Sequence, residues 1–177
     1  AWNDKPNRTK RREDIMTSAK WYEKAGKIFD SMESGSVLLY NAENGMYFSG
    51  RDGHKAYYIP DCEVLTSRND SSQMKSNFLQ KVFTDASDKG ELATEVTKGK
   101  VHNDGFSSCA LRLSNSENTV YVQERFTREF PANTLYYISG RNKPVLACLE
   151  DGGQFYQIAV VMPILSNHFT PKEQAST

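Results

Sequence analysis

Apolar side chains near the start of the chain recur at intervals that fit an amphipathic helix. Between residues 9 and 32 they follow one another in steps of three or four residues, which places them along one side of an α-helix. Gly35 follows this stripe and is a suitable stop. We therefore predict a long helix over residues 9–32 with an apolar stripe of Ile15, Ala19, Tyr22, Ala25, Phe29 and Met32.

A second helical pattern lies between residues 70 and 90. Asp70 and Gln73 have the spacing of a capping box at its start, and Gly90 closes the segment. Four apolar residues recur at every fourth position, as expected along one side of a helix. They are Met74, Phe78, Val82 and Ala86.

The rest of the chain alternates between short apolar runs and turn residues, which is the pattern of β-strands. Asn44-Gly45 separates two apolar runs, and both residues tolerate positive φ, so a hairpin is predicted there. The short connections between later runs predict antiparallel neighbours. The run from Ile158 to Leu165 is almost wholly apolar and predicts a central strand covered on both faces. The predicted strands cover residues 36–40, 46–48, 57–59, 92–101, 106–113, 119–126, 134–139, 145–149 and 154–165.

This order of elements predicts an α+β domain. A long N-terminal helix and a second helix would pack on a mostly antiparallel, curved sheet and leave the other face of the sheet free to bind a ligand. The length of 177 residues and an apolar content of 38% fit a single domain with a core of its own. We place this domain at residues 9–169, between a disordered basic arm at residues 1–8 and a loose polar tail at residues 170–177.

The formal net charge is zero, which argues against nucleic acid as a partner. Charge is uneven at the start, where basic residues are opposed only by Asp4. We favour a solvated terminus, and the alternatives are the cytoplasmic flank of a membrane anchor, a nuclear signal or a phosphate-binding arm. The basic residues concerned are Lys5, Arg8, Lys10, Arg11 and Arg12.

The histidines and cysteines show no spacing typical of a metal site or a nucleophile. Cys109 and Cys148 lie in apolar runs and are expected to be small core residues. Cys62 lies in a loop beside Glu63, whose charge would raise the pKa of the thiol. The sequence therefore predicts a non-enzyme with no metal and no cofactor, and keeps a cysteine hydrolase as a minor hypothesis. The histidines are His54, His102 and His168.

Tyrosine and arginine side chains in the predicted strands are the best candidates for ligand binding. Alternation along one strand puts Tyr121, Gln123 and Arg125 on the same face. Tyr rings give flat walls and Arg gives charged donors, which suits a small carboxylate or aromatic ligand. For any single residue, a half-buried outer face is the favoured alternative. The predicted ligand-binding residues are Tyr57, Tyr58, Tyr121, Arg125 and Tyr137.

Two stretches of the chain also have the order of strand and turn seen in a known family. The first is SVLLYNAENGMYFSG, an apolar strand followed by a Gly turn. The second is VLACLEDGGQFYQIAVVMPILSNHF, a strand pair that ends in a long apolar run. They resemble the opening and closing hairpins of the PAS and Cache-type sensor domains of bacterial signalling receptors. The resemblance implies a ligand-sensing function on the periplasmic side of a membrane, whereas the basic start favours the cytoplasm. We predict the periplasmic side and keep the cytoplasm as the alternative.

Together these features predict a non-enzymatic ligand-sensing domain of a bacterial signalling protein. A small molecule would bind against the sheet and shift an equilibrium of the N-terminal helix, or of a homodimer formed through it. A membrane anchor adjacent to the domain in the full-length protein is compatible with this role. The alternative is a protein-binding module, such as an envelope or secretion-assembly subunit or a regulatory partner of a membrane protein.

Overall fold

Two mostly antiparallel sheets of unequal size form the framework of the protein. The computed structural model describes residues 15–33, 35–42, 44–61, 72–73, 81–82, 85, 90–103 and 105–165. In chain order the strands are β1 (Leu38–Ala42), β2 (Gly45–Ser49), β3 (Lys55–Pro60), β4 (Ser72–Gln73), β5 (Glu91–Leu92), β6 (Glu95–Asn103), β7 (Phe106–Ser114), β8 (Thr119–Gln123), β9 (Thr134–Ile138), β10 (Val145–Asp151) and β11 (Gln154–Val161).

The larger sheet has the strand order β4-β1-β2-β3-β11-β10-β9-β5, and its only parallel pair within the described residues is β1 with β4. The smaller sheet is the antiparallel meander β6-β7-β8. The predicted hairpin at Asn44-Gly45 is confirmed: Asn44 has a φ of 59°, and Ala42 pairs with Gly45 across the turn. The three strands of the smaller sheet lie in the chain between β5 and β9, which are neighbours in the larger sheet.

The helix α1 spans Ser18–Ser31. Thr17 caps it, because its Oγ1 accepts a hydrogen bond of 3.2 Å from the Lys20 N–H and its own backbone is extended. A continuous helix from residue 9 is therefore excluded, although residues 9–14 lie outside the described part. The predicted stripe is confirmed at Tyr22, Ala25 and Phe29, which are buried together with Trp21.

The predicted fold class is wrong. Strands dominate the described residues, which contain one helix with defined bounds, α1, instead of two helices packed on a PAS-like sheet. Most of the predicted second helix lies outside the described residues; 81, 82 and 85 are helical, whereas 72–73 form the edge strand β4. The physical reason is that β6–β8 bury their own apolar face against the larger sheet, where a second helix was expected to pack.

The main core lies between the larger sheet on one side and α1 with the smaller sheet on the other. The smaller sheet contributes Leu111, Leu113, Val120 and Val122. Aromatic rings fill the centre, with Phe48 stacked on Tyr57 at 4.9 Å between centroids. The smaller sheet and α1 therefore together cover one face of the larger sheet.

The opposite face of the larger sheet also buries apolar side chains. Tyr40, Tyr47, Cys148 and Val160 form a second cluster, against which Val82 packs. The prediction of a central strand covered on both faces is confirmed for residues 158–161 of β11, which lies between β3 and β10, but the strand ends at Val161 and not at residue 165. Both faces of the larger sheet are therefore occupied around its centre, which leaves no open face of the predicted kind there.

The segment after β11 joins the two sheets. The Met162 N–H donates to the carbonyl oxygen of His54 at 2.9 Å, and the Ile164 N–H donates to that of Tyr121 at 2.7 Å. Ile164 covers Tyr121 and Val101 on the outer face of the smaller sheet. The segment 162–165 thus runs along the free edge of β8 and fixes the smaller sheet in place.

Candidate functional site

The five side chains predicted to bind a ligand do not lie on one surface. Tyr57 points into the main core, while its neighbour Tyr58 lies on the opposite face of the sheet beside Tyr47, with 5.4 Å between the ring centroids. Tyr137 is on the same face as Tyr58. Tyr121 is buried under Ile164 on the outer face of the smaller sheet.

Arg125 departs from the predicted strand face altogether. β8 ends at Gln123, and the chain then makes the 3₁₀ turn Glu124–Phe126. Arg125 lies in this turn, exposed, with its guanidinium carbon 4.7 Å from the centroid of the Phe126 ring. The alternation that would have placed Tyr121 and Arg125 on one face is therefore broken by the turn.

An open groove of about 630 Å³ lies between α1, the smaller sheet and the segment 124–134. The apolar part of its wall comes from Met16 before the helix, Val96 and Leu111 of the smaller sheet, and Phe130 and Pro131 of the segment. Its charged part comes from Lys24, Lys98, Glu124, Arg128 and Glu129. The groove therefore combines an apolar wall with a charged rim.

Behind the groove, a cluster of three polar side chains ties the segment 124–134 to β3. The Lys55 Nζ donates to Glu129 Oε1 and to the Phe126 carbonyl oxygen, the latter at 3.0 Å. The Tyr57 hydroxyl donates to the same Glu129 oxygen. The ammonium also lies 4.8 Å from the centroid of the Tyr57 ring and 5.4 Å from that of Phe130. We call Lys55, Tyr57 and Glu129 the anchor cluster.

Burial affects the titration of Lys55 in the anchor cluster. The pKa of Lys55 is lowered because the ammonium is desolvated, although the hydrogen bond and charge of Glu129 and the charge of Asp52 act in the opposite direction. Burial likewise raises the pKa of Tyr136, which lines the groove nearby. Within the anchor cluster, Lys55 and Glu129 thus form an ion pair that is largely shielded from water, and the charge of each balances that of the other.

Positive charge exceeds negative charge around the groove. Lys24 donates to the Glu129 carbonyl oxygen at 2.9 Å and lies 5.8 Å from the centroid of the Trp21 indole. Lys98 pairs with Glu124 at 3.7 Å, and Arg128 is exposed without an ion pair to any described residue. Three cations, Lys24, Lys98 and Arg128, and two carboxylates, Glu124 and Glu129, line the groove, and Lys55 lies behind it on Glu129.

Neither the anchor cluster nor the groove was predicted from the sequence. Lys55 stands two residues before Tyr57 in a short apolar strand, so the two side chains share a face, and a lysine on an inward face needs a partner. This inward-facing lysine was the signal in the sequence from which the anchor cluster could have been inferred. The partner, Glu129, is 72 residues from Tyr57, and no local pattern connects the two.

The cysteines behave differently from one another. Cys148 is buried as predicted, and burial raises the pKa of its thiol to about 12, which keeps it protonated and unreactive near neutral pH. Cys109 is exposed, so the prediction that it is a core residue is wrong. Cys62 lies outside the described residues.

Among the described residues, no group of three or more histidine, cysteine or acidic side chains is placed to hold a metal ion. None of the helices in that part of the chain is long and apolar enough to cross a membrane.

Comparison with models of known protein families, with curated proteins and with solved structures finds no match. The resemblance to PAS and Cache-type sensors therefore stays a prediction from the sequence.

Proposed function

We propose that this protein is a non-enzymatic domain that binds a small organic anion with an apolar part in the groove between α1, the smaller sheet and the segment 124–134. The observation that carries the proposal is the excess of cations at an apolar-walled groove. Its volume of about 630 Å³ falls within the range of small-molecule sites, which is about 300–1,000 Å³.

The cations retain capacity to bind an anion. An ammonium has three donors, and Lys24 uses one of them on the Glu129 carbonyl oxygen. Arg128 can offer its planar fork to a carboxylate or phosphate. Glu129 is held by Lys55 and Tyr57, so its charge opposes an incoming anion less than a free carboxylate would.

A sensing role is supported by the fact that different elements of the fold form the walls of the groove. Met16 and Lys24 belong to α1 or its immediate approach, whereas Val96 and Lys98 belong to the smaller sheet. A ligand that touches both would favour the arrangement of helix and sheet that fits it best. As part of the proposal, this shift is passed on through α1 in a bacterial signalling protein, on the periplasmic side of a membrane. A dimer through α1 would use its polar side, since its apolar side packs on the larger sheet.

The test is a thermal-shift screen of the purified protein against small carboxylates and phosphates that carry an apolar group. A ligand that binds only the folded state, at 100 times its dissociation constant, adds about 2.7 kcal/mol to the free energy of unfolding. We expect Arg128→Ala to reduce the shift and Arg125→Ala to leave it unchanged, since both arginines are exposed but only Arg128 lines the groove.

The reverse result, in which Arg125→Ala abolishes binding and Arg128→Ala does not, would place the ligand elsewhere and refute the groove. A well-folded protein that responds to no compound in the screen would also refute it, and would favour the alternative of a protein-binding module.

A further inference from the structure

The strand β6 is an exposed edge. It pairs with β7 along one side, and on the other side it meets no strand among the residues that the structure describes. Val96 is 48% exposed, and every residue from Thr97 to Lys100 is exposed as well. Unpaired N–H and C=O groups along such an edge are a template for another extended chain.

The geometry of the hairpin fixes which backbone groups point outward. Asn103 pairs with Phe106 across a loop of two residues, and a loop of that length is closed by a hydrogen-bonded pair. Pairs then alternate along the ladder, so Val96, Lys98 and Lys100 direct their N–H and C=O groups away from β7. These three residues would form the hydrogen bonds to an added strand.

The side chains of the same residues lie on one face. Val96 is opposite Leu113 and Lys98 is opposite Leu111, so both side chains are on the face of the smaller sheet that points toward the main core. Lys100 follows on that face by alternation. An added strand would therefore meet one apolar side chain and then two cations in a row.

The registers centred on the lysines of β6 disfavour pairing with a second copy of the same edge. In a two-fold antiparallel pairing centred on Gly99, Lys98 of one copy would lie opposite Lys100 of the other. Centring the pair on Lys98 or on Lys100 would place that lysine opposite itself. Like charges directly opposite one another destabilise a strand pair, so the lysines oppose self-association.

We propose that β6 is a docking edge for an extended acidic segment of a partner protein, which adds antiparallel to residues 95–101. Its carboxylates lie opposite Lys98 and Lys100, and an apolar side chain lies opposite Val96. Lys98 keeps its pairing with Glu124 only in part, because that ion pair is long, at 3.7 Å, and its lysine is exposed. This partner site goes beyond the binding of a small anion in the groove, and Lys100 does not line that groove.

The probe is a synthetic peptide, capped at both ends, with the sequence Thr-Glu-Thr-Glu-Thr-Val-Thr. In the antiparallel register it places both glutamates opposite the lysines and its valine opposite Val96. The control peptide carries lysine in place of both glutamates. Affinity is measured by fluorescence anisotropy, and the amides protected on binding are identified by NMR hydrogen exchange.

Two substitutions at Lys100 distinguish the contribution of its side chain to binding from that of its backbone N–H. Lys100→Ala removes an exposed charge and should weaken binding by up to about fivefold. Lys100→Pro also removes the outward N–H, and should weaken binding by at least a further tenfold or so, while β6 keeps its bonds to β7. The acidic peptide should protect the amides of Val96, Lys98 and Lys100.

Equal affinity of the Lys100→Pro and Lys100→Ala variants would overturn the proposal, because strand addition needs that N–H. Equal binding of the acidic and basic peptides, no binding of the acidic peptide, or protection at amides outside β6 would overturn it too.

Discussion

Disruption of the anchor cluster should destabilise the protein strongly, and by an amount that reveals coupling between its members. Lys55 and Glu129 form an ion pair whose side chains are 13% and 30% exposed. We consider Lys55→Met, Glu129→Gln and the double variant. Methionine keeps most of the length of the lysine stem, and glutamine keeps the shape of the glutamate, so neither change opens a large cavity.

The magnitude follows from the burial of the pair. Removal of one partner of a fully buried ion pair costs about 3–5 kcal/mol, because the other charge is left unpaired. After Lys55→Met the remaining charge is Glu129, whose 30% exposure lets water solvate part of it, so we expect about 2–3 kcal/mol. After Glu129→Gln the remaining charge is Lys55, which is only 13% exposed, so we expect about 3 kcal/mol. The double variant leaves no unpaired charge and should cost less than the sum of the singles by at least about 1.5 kcal/mol.

Urea unfolding of the four proteins gives this coupling free energy directly. The matched control is the exposed pair of Lys27 and Glu23 on α1, with 76% and 69% exposure, whose coupling should be only about 0.3–0.5 kcal/mol. The coupling of the control should fall further in high salt, whereas that of the anchor cluster should persist. Single variants that are additive within about 0.5 kcal/mol would refute the reading of Lys55 and Glu129 as a buried, compensated pair.

The remaining predictions concern one thiol and two glycines. Because burial raises the pKa of Cys148 from 9.0 to about 12, the folded state holds its proton while the unfolded state loses it, and stability falls as pH rises from 9 to 12. Between pH 8 and pH 10 the wild type should lose about 1.4 kcal/mol more than Cys148→Ala, measured by chemical unfolding; an equal loss would contradict the shift. Gly26→Ala should stabilise α1 by about 0.5–1 kcal/mol, since nothing lies within 4 Å of the added Cβ. Gly45→Ala should destabilise, since its Cβ would come within 2.5 Å of the Ile59 carbonyl oxygen, and opposite shifts in melting temperature test the two glycines together.

The strands could be predicted from the sequence because their signals are local. The predicted strand 106–113 is β7 to within one residue, and the hairpin predicted at Asn44-Gly45 is present, although Gly45 is already the first residue of β2 and pairs with Ala42. The start of α1 was mistaken because apolar spacing ran on through Ile15, which is 56% exposed. Thr17 was the better guide, since threonine is a favoured capping residue.

Pairing between strands could not be predicted in the same way. Nothing near β5 shows that its partner is β9, because the choice depends on where the apolar face of β6–β8 finds cover. The same limit applies to the site. Tyr57 was selected for being a tyrosine in a strand, but its role is set by Glu129, which only the completed fold brings to it.

The position of β11 has a consequence for how the protein folds during synthesis. β11 is the last strand along the described chain, yet it lies in the middle of the larger sheet and joins β1–β3 to β9–β10. Until its residues leave the ribosome, the two halves have unsatisfied edges and share no hydrogen bonds through this strand. The nascent chain must therefore be kept from aggregating at those edges, and the sheet closes in a late step that depends on contacts distant in sequence.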